Sequence, residues 1–169
     1  MILISACLLG VNCKYNGKNN LKYDILELAK GKNIIPVCPE QLGGLPTPRI
    51  PCEIIHSTGE VIDGCGKVLN KRGEDKTEEF LKGAYETLHI AKLYNVKEVI
   101  LKENSPSCGS NFVYDGTFSG KKKRGDGVTS ALLKKHGIIV HNEDNYHIKG
   151  GTKDEEKNNS RNLHANNGD

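Results

Sequence analysis

No apolar stretch in this 169-residue chain approaches the roughly eighteen residues a helix needs to cross a bilayer, so no membrane span is expected. The N-terminus also lacks the basic segment and long apolar run of a secretory signal, and Cys7 would fall inside any signal placed there. A cytoplasmic location is the expectation. Charge of one sign is scarce: 24 Lys and Arg against 21 Asp and Glu leave a net +3, too little to imply DNA or RNA by itself. There is no internal repeat. Gly43 and Gly44 belong to no Walker or Rossmann fingerprint, which leaves nucleoside triphosphate chemistry without support. The six histidines, at 56, 89, 136, 141, 147 and 164, are scattered, and none is placed as a metal ligand.

What is present in quantity is cysteine. Six thiols in a chain long enough to build its own core do not need to be disulfides, and a reducing compartment would not keep them paired. Metal binding or redox chemistry is the better use. Three of the six follow apolar, strand-like runs. Ile2-Leu3-Ile4 stops at Ser5-Ala6-Cys7, with Cys13 shortly after; Ile34-Ile35-Pro36-Val37 runs into Cys38-Pro39-Glu40; Val99-Ile100-Leu101 leads through Lys102-Glu103-Asn104 into Ser105-Pro106-Ser107-Cys108-Gly109. In open parallel sheets, ligands bind outside the carboxyl ends of the strands, so thiols at three strand exits are expected to meet there.

Between the strands, Val11 to Asn20 reads as a loop and Leu21 to Lys30 as a helix ended by Gly31. Leu42 to Pro51, with three of the six prolines, reads as irregular and stiff. Short apolar patches from Glu53 to Asn70 suggest a small hairpin beside the main sheet. Asp75 to Asn95 is the clearest helix, with Glu78 and Glu79 in its first turn and a cap at Asp75 or Thr77. Strand Glu98 to Leu101, a hairpin or loop from Asn111 to Gly120, an exposed basic run at Lys121 to Arg124, helix Val128 to His136 and strand Ile138 to His141 follow. This alternation predicts an α/β protein: one three-layer, Rossmann-like domain over residues 1–149 with a mainly parallel sheet. Residues 150–169, poor in apolar groups, read as a disordered polar tail.

Taken alone, the Cys7-x5-Cys13 spacing matches no usual zinc or ferredoxin pattern. Cys38 carries more weight because Glu40 puts a carboxylate two residues away. Cys108 carries the most, since hydroxyls and loop amides surround it and can donate to cluster sulfur or an anion. Converging thiolates suit zinc or an iron-sulfur cluster alike. Cys52 and Cys65 are expected to be incidental.

Ser5-Ala6-Cys7-Leu8-Leu9-Gly10 with Cys13, Cys38-Pro39-Glu40 with Gly43-Gly44-Leu45-Pro46-Thr47-Pro48-Arg49, and Leu101-Lys102 with Ser105-Pro106-Ser107-Cys108-Gly109 and Tyr114-Asp115-Gly116 together resemble the thiouracil desulfurase family over roughly residues 1–142. The resemblance implies a [4Fe-4S] cluster held by three cysteines, with one iron open to the sulfur of a small thiolated pyrimidine. Carried over by motif, Cys7, Cys13, Cys38 and Cys108 are the ligand candidates, and Glu40 and Ser105 the catalytic ones. The strand exits favour Cys7, Cys38 and Cys108, with Cys13 as an alternate ligand or nearby thiol. Cys52 departs from the family pattern, in which a small residue other than cysteine is usual. The implied reaction exchanges sulfur for oxygen without redox: Glu40 supplies or takes a proton and Ser105 orients the base or the ring. Arg49 faces substrate or clamps its loop. Rival readings are a tRNA sulfur-transfer enzyme, hinted at only by the basic run, a zinc-stabilised binding module, and an electron carrier.

Overall fold

The computed structural model describes residues 1–146. The expected tail, and the last three residues of the expected domain, lie outside the described residues. Four short apolar strands, β1 (Ile2–Ser5), β2 (Ile34–Val37), β5 (Glu98–Leu101) and β8 (Ile139–Asn142), form a wholly parallel sheet in the order β2-β1-β5-β8. The register pairs Leu3 with both Ile35 and Val99, and Ile100 with His141. Because successive side chains in a strand point to opposite faces, β1 and β5 supply two cores at once. Leu3, Val99 and Leu101 pack with Phe80, Ala84, Leu88, Leu132 and Leu133 on one face. Ile2, Ile4 and Ile100 pack with Leu8, Ile25 and Leu28 on the other.

The helices are α1 (Tyr23–Ala29) on the second face, and α4 (Thr77–Leu93) and α5 (Val128–Lys135) on the first. This is the expected three-layer α/β arrangement. One-turn helix α2 (Pro39–Leu42) starts directly at the end of β2, with proline in its first turn where no amide is needed. It lies against α4 through two glycines: a β-carbon on Gly43 would collide with the carbonyl of Glu79, and one on Gly83 with that of Pro39. The contact therefore brings Glu40's short helix onto the long one at backbone distance.

Two expectations change. The hairpin at 53–70 exists as β3 (Cys52–Ile54) paired antiparallel with β4 (Val68–Asn70), but its connection holds helix α3 (Thr58–Ile62), so Val61 and Ile62 are helical. A capping box starts that helix: Ser57 Oγ accepts from the Glu60 amide, and Glu60 accepts from the Ser57 amide. The basic run is likewise not a free loop. Lys122–Arg124 forms β7, paired with β6 (Phe112–Tyr114). Lys123 Nζ donates to the carbonyls of Ile54, His56 and Asp115, while Lys122 and Arg124 lie over the rings of Tyr114 and Phe112. No helix among the described residues is long and apolar enough to cross a membrane.

Candidate active site

The carboxyl ends of β1, β2 and β5 open into one cavity of about 550 Å³. Each strand delivers its thiol by a different local device. After β1 the chain turns through one 3-10 turn, Ala6–Leu9, which Gly10 closes at φ 91°, a conformation that favours glycine. Cys7 sits on that turn. The loop behind it returns when the amides of Asn20 and Lys22 donate to the carbonyls of Cys7 and Leu8, and this fold-back buries Cys13. Cys38 is the residue before α2, so Pro39 and Glu40 follow it on the cavity wall. Cys108 lies in the turn after β5. Ser105 Oγ accepts from the amides of Ser107 and Cys108 there, and the start of α5 holds the turn from behind through Thr129, whose amide donates to the Ser107 carbonyl, and Ser130, whose hydroxyl donates to the Cys108 carbonyl.

All four motif cysteines, Glu40 and Ser105 line this cavity. The thiols are not equivalent. Hydrogen bonding with Cys13 holds Cys7 below an ordinary thiol, and the same bonding lowers Cys38 to about 7, helped by the Gln41 amide. Hydrogen bonding with Cys38 and Cys7, followed by burial, pushes Cys13 up, and Cys38 Sγ also lies 3.8 Å from the Cys13 carbonyl oxygen. Burial, followed by the neighbouring Cys38 and Cys7, pushes Cys108 up. The arrangement thus favours two thiolates flanking a thiol that keeps its proton.

Arg49 resolves as a clamp. Its Nε pairs with Glu40 Oε2, Nη1 donates to Pro46 O and Thr47 Oγ1, and Nη2 donates to Cys13 O at 3.1 Å, in a side chain only 6% exposed. One guanidinium therefore joins the proline loop, the Cys13 loop and the candidate proton carrier. No protein donor among the described residues reaches Glu40 Oε1.

Cys52, expected to be incidental, also lies on the cavity wall, where burial pushes its thiol up to about 12, so it stays neutral. Cys65 is exposed and away from the cavity. Sequence reasoning missed the carboxylates that shape the site. Glu103 is buried. It accepts from the amides of Ser110, Asn111 and Phe112, from Ser110 Oγ and from Asn142 Nδ2. Burial pushes its carboxyl up, but these donors more than reverse that and leave it below the ordinary range. Glu143 at the end of β8 accepts from the Glu103 amide and pairs with Lys102, another cavity residue. Across the cavity, buried Glu53 accepts from the amides of Gly116 and Phe118. Only Glu53, between Cys52 and Ile54, stood out in the sequence as an acidic residue amid apolar neighbours; Glu103, between Lys102 and Asn104, and Glu143, between Asn142 and Asp144, carried no such signal.

A model of the family described as 2-thiouracil desulfurase matches residues 2–145. The chain is 54% identical over 144 residues to the uncharacterized protein YbbK of Bacillus subtilis (strain 168), covering 85% of this chain and 95% of that one. Among solved structures it is similar to the [4Fe-4S]-dependent thiouracil desulfidase TudS, at 39% identity and a TM-score of 0.76, covering 85% of this chain and 90% of that one.

Proposed function

The chain belongs to the 2-thiouracil desulfurase family, and on that premise we propose that it replaces the sulfur of a small thiolated pyrimidine with oxygen, releasing sulfide, at a [4Fe-4S] cluster held by Cys7, Cys38 and Cys108. The observation that carries this reading is the meeting of thiols from three strand exits in one cavity beside a carboxylate with a free oxygen. All six cysteines are free, which fits a reducing, cytoplasmic setting.

A donor set made of thiols is the one that iron-sulfur clusters take. Among the described residues no group of three or more His, Cys, Asp or Glu is arranged to hold a single metal ion. Cys13, whose thiol is pushed up by its neighbours Cys38 and Cys7 and by burial, suits the thiol that stays outside the ligand set. The basic run lends the tRNA reading little, since Lys123 is spent on three carbonyls.

The net reaction is thiocarbonyl plus water to carbonyl plus hydrogen sulfide, with no change of electrons. When bound, the cluster supplies Lewis-acid polarisation of the carbon-sulfur bond. Glu40 does the proton work: Arg49 fixes Oε2, leaving Oε1 to take a proton from the attacking water. Ser105 has its oxygen lone pairs engaged by two amides, so its own hydroxyl proton points the other way and is left to donate to the ring or to water. Protein isolated without oxygen should contain about four irons per chain and turn 2-thiouracil into uracil with one sulfide released per turnover. Stoichiometric zinc without iron in that preparation, or no sulfide from an iron-loaded one, would sink the reading.

A further inference from the structure

The tip of the β6–β7 hairpin is held in place by more bonds than a surface loop needs. Asp115 Oδ1 accepts from the amide and hydroxyl of Thr117, that hydroxyl lies 2.7 Å from Ser119 Oγ, and the Asp115 amide donates to Lys121 O. The whole tip is then hung on β3. Gly116 passes so close that a β-carbon there would lie 2.7 Å from the Ile54 carbonyl oxygen. One oxygen of buried Glu53 accepts from both the Gly116 amide, at 2.9 Å, and the Phe118 amide, at 3.0 Å. This grip holds Phe118 at φ 56°, a left-handed conformation that a bulky residue rarely adopts and that a glycine would take without strain. Strain of this kind persists only where its surroundings impose it, and an observed outlier at a cavity points to a use.

Phe118 lines the cavity, as do two other rings, Tyr15 and Tyr114. Those two already carry a cation on a face: Lys14 Nζ lies 5.4 Å from the Tyr15 centroid and Lys122 Nζ 6.0 Å from that of Tyr114. Among the described residues Phe118 has no such partner. A planar heteroaromatic ring presented to the thiol wall needs a flat apolar surface, and stacking on an aromatic side chain is how proteins commonly hold a nucleobase. The geometry points to Phe118 as the platform on which the pyrimidine stacks, with Glu53 as the positioning residue that aims it, an assignment that rests on the desulfuration reading above. Glu53 acts here through two backbone amides and touches neither substrate nor cluster.

The test is anaerobic equilibrium dialysis of 2-thiouracil against the iron-loaded protein, with iron content, Tm, KM and kcat measured alongside. Phe118→Leu keeps an apolar side chain but loses the ring, so binding should weaken about tenfold or more, with KM rising further than kcat falls and iron unchanged. Phe118→Tyr should stay within about twofold of the wild type, because the face is kept. Glu53→Ala should weaken binding in the same way as Phe118→Leu. Glu53→Gln, whose side-chain carbonyl still accepts both amides, should bind normally. Unchanged binding by Phe118→Leu overturns the platform while leaving desulfuration intact. Weakening that tracks loss of iron or a lowered Tm identifies a structural role and overturns it too. Iron-loaded wild type that neither binds nor converts 2-thiouracil overturns the desulfuration reading and the platform together.

Discussion

The two sides of the cavity are built on different principles. The thiol wall stands on the parallel sheet: Cys7 and Cys108 follow the buried central strands β1 and β5, Cys38 follows the edge strand β2, and their positions descend from a register set by two apolar cores. The opposite rim, from β3 to the β6–β7 tip, pairs with no strand of that sheet; Ile54 and Val113 root it in the first apolar core, and its tip is tied down by polar bonds to two side chains, Glu53 and Lys123. Even the carboxylates differ. Glu103 on the wall side collects five donors, whereas Glu53 on the rim collects two. Chemistry that tolerates little displacement sits on the stiffer frame, and recognition sits on the frame that can be altered without disturbing it.

That contrast is most sharply broken or upheld by removing a wall thiol. Cys38→Ser, Cys7→Ser or Cys108→Ser should each abolish most of the iron content measured after anaerobic isolation, while Cys65→Ser, away from the cavity, should leave it unchanged. Iron lost from Cys65→Ser would show that the strand exits do not define the site. Cys52→Ser is the harder control, because this neutral thiol shares the cavity; it should keep its iron.

The next largest effect belongs to Glu40. Glu40→Gln keeps an acceptor for Arg49 but cannot take a proton, so turnover should fall at least about a hundredfold with iron and sulfide intact. Near-normal turnover would leave Glu40 as no more than the partner of Arg49.

Glu103 tests how the wall is held. Replacing it with Gln puts an amide group among donors, and the loss should be about 2–3 kcal/mol in denaturant unfolding. Its folded value lies below the unfolded one, so its contribution is fully present above the ordinary carboxylate range and is lost as pH falls through the depressed value. The wild type should therefore lose more stability on acidification than Glu103→Gln does. Parallel curves for the two proteins would remove Glu103 from the account. On the rim, Lys123→Met should cost only about 1 kcal/mol, with iron content untouched, because the hairpin loses one set of bonds and keeps those to Glu53 of β3. Iron lost from this variant would erase the distinction between the two sides.

The amino-acid sequence by itself determined the parallel sheet and the thiol wall. Runs such as Ile2-Leu3-Ile4 and Val99-Ile100-Leu101 are apolar on both faces, which only a sheet covered on both sides satisfies, and a thiol just beyond such a run must emerge at the strand's carboxyl end. It did not distinguish helix from strand at Val61-Ile62, because a short apolar pair suits either; the capping pair Ser57 and Glu60 was the local signal for the helix. Nor did it reveal β7, whose lysines and arginine carry no strand pattern and are paired only because Phe112–Tyr114 lies beside them. Tertiary structure alone decided that Arg49 clamps, that Cys52 shares the cavity and that Glu53 aims Phe118. Glu53 lies 63 and 65 residues from the amides it accepts, and Arg49 lies 36 from the Cys13 carbonyl it holds. A hydrogen bond closing so long a loop leaves no periodicity for its ends to share. The sheet brings those ends together first, and only then do a carboxylate or guanidinium and its partners become neighbours.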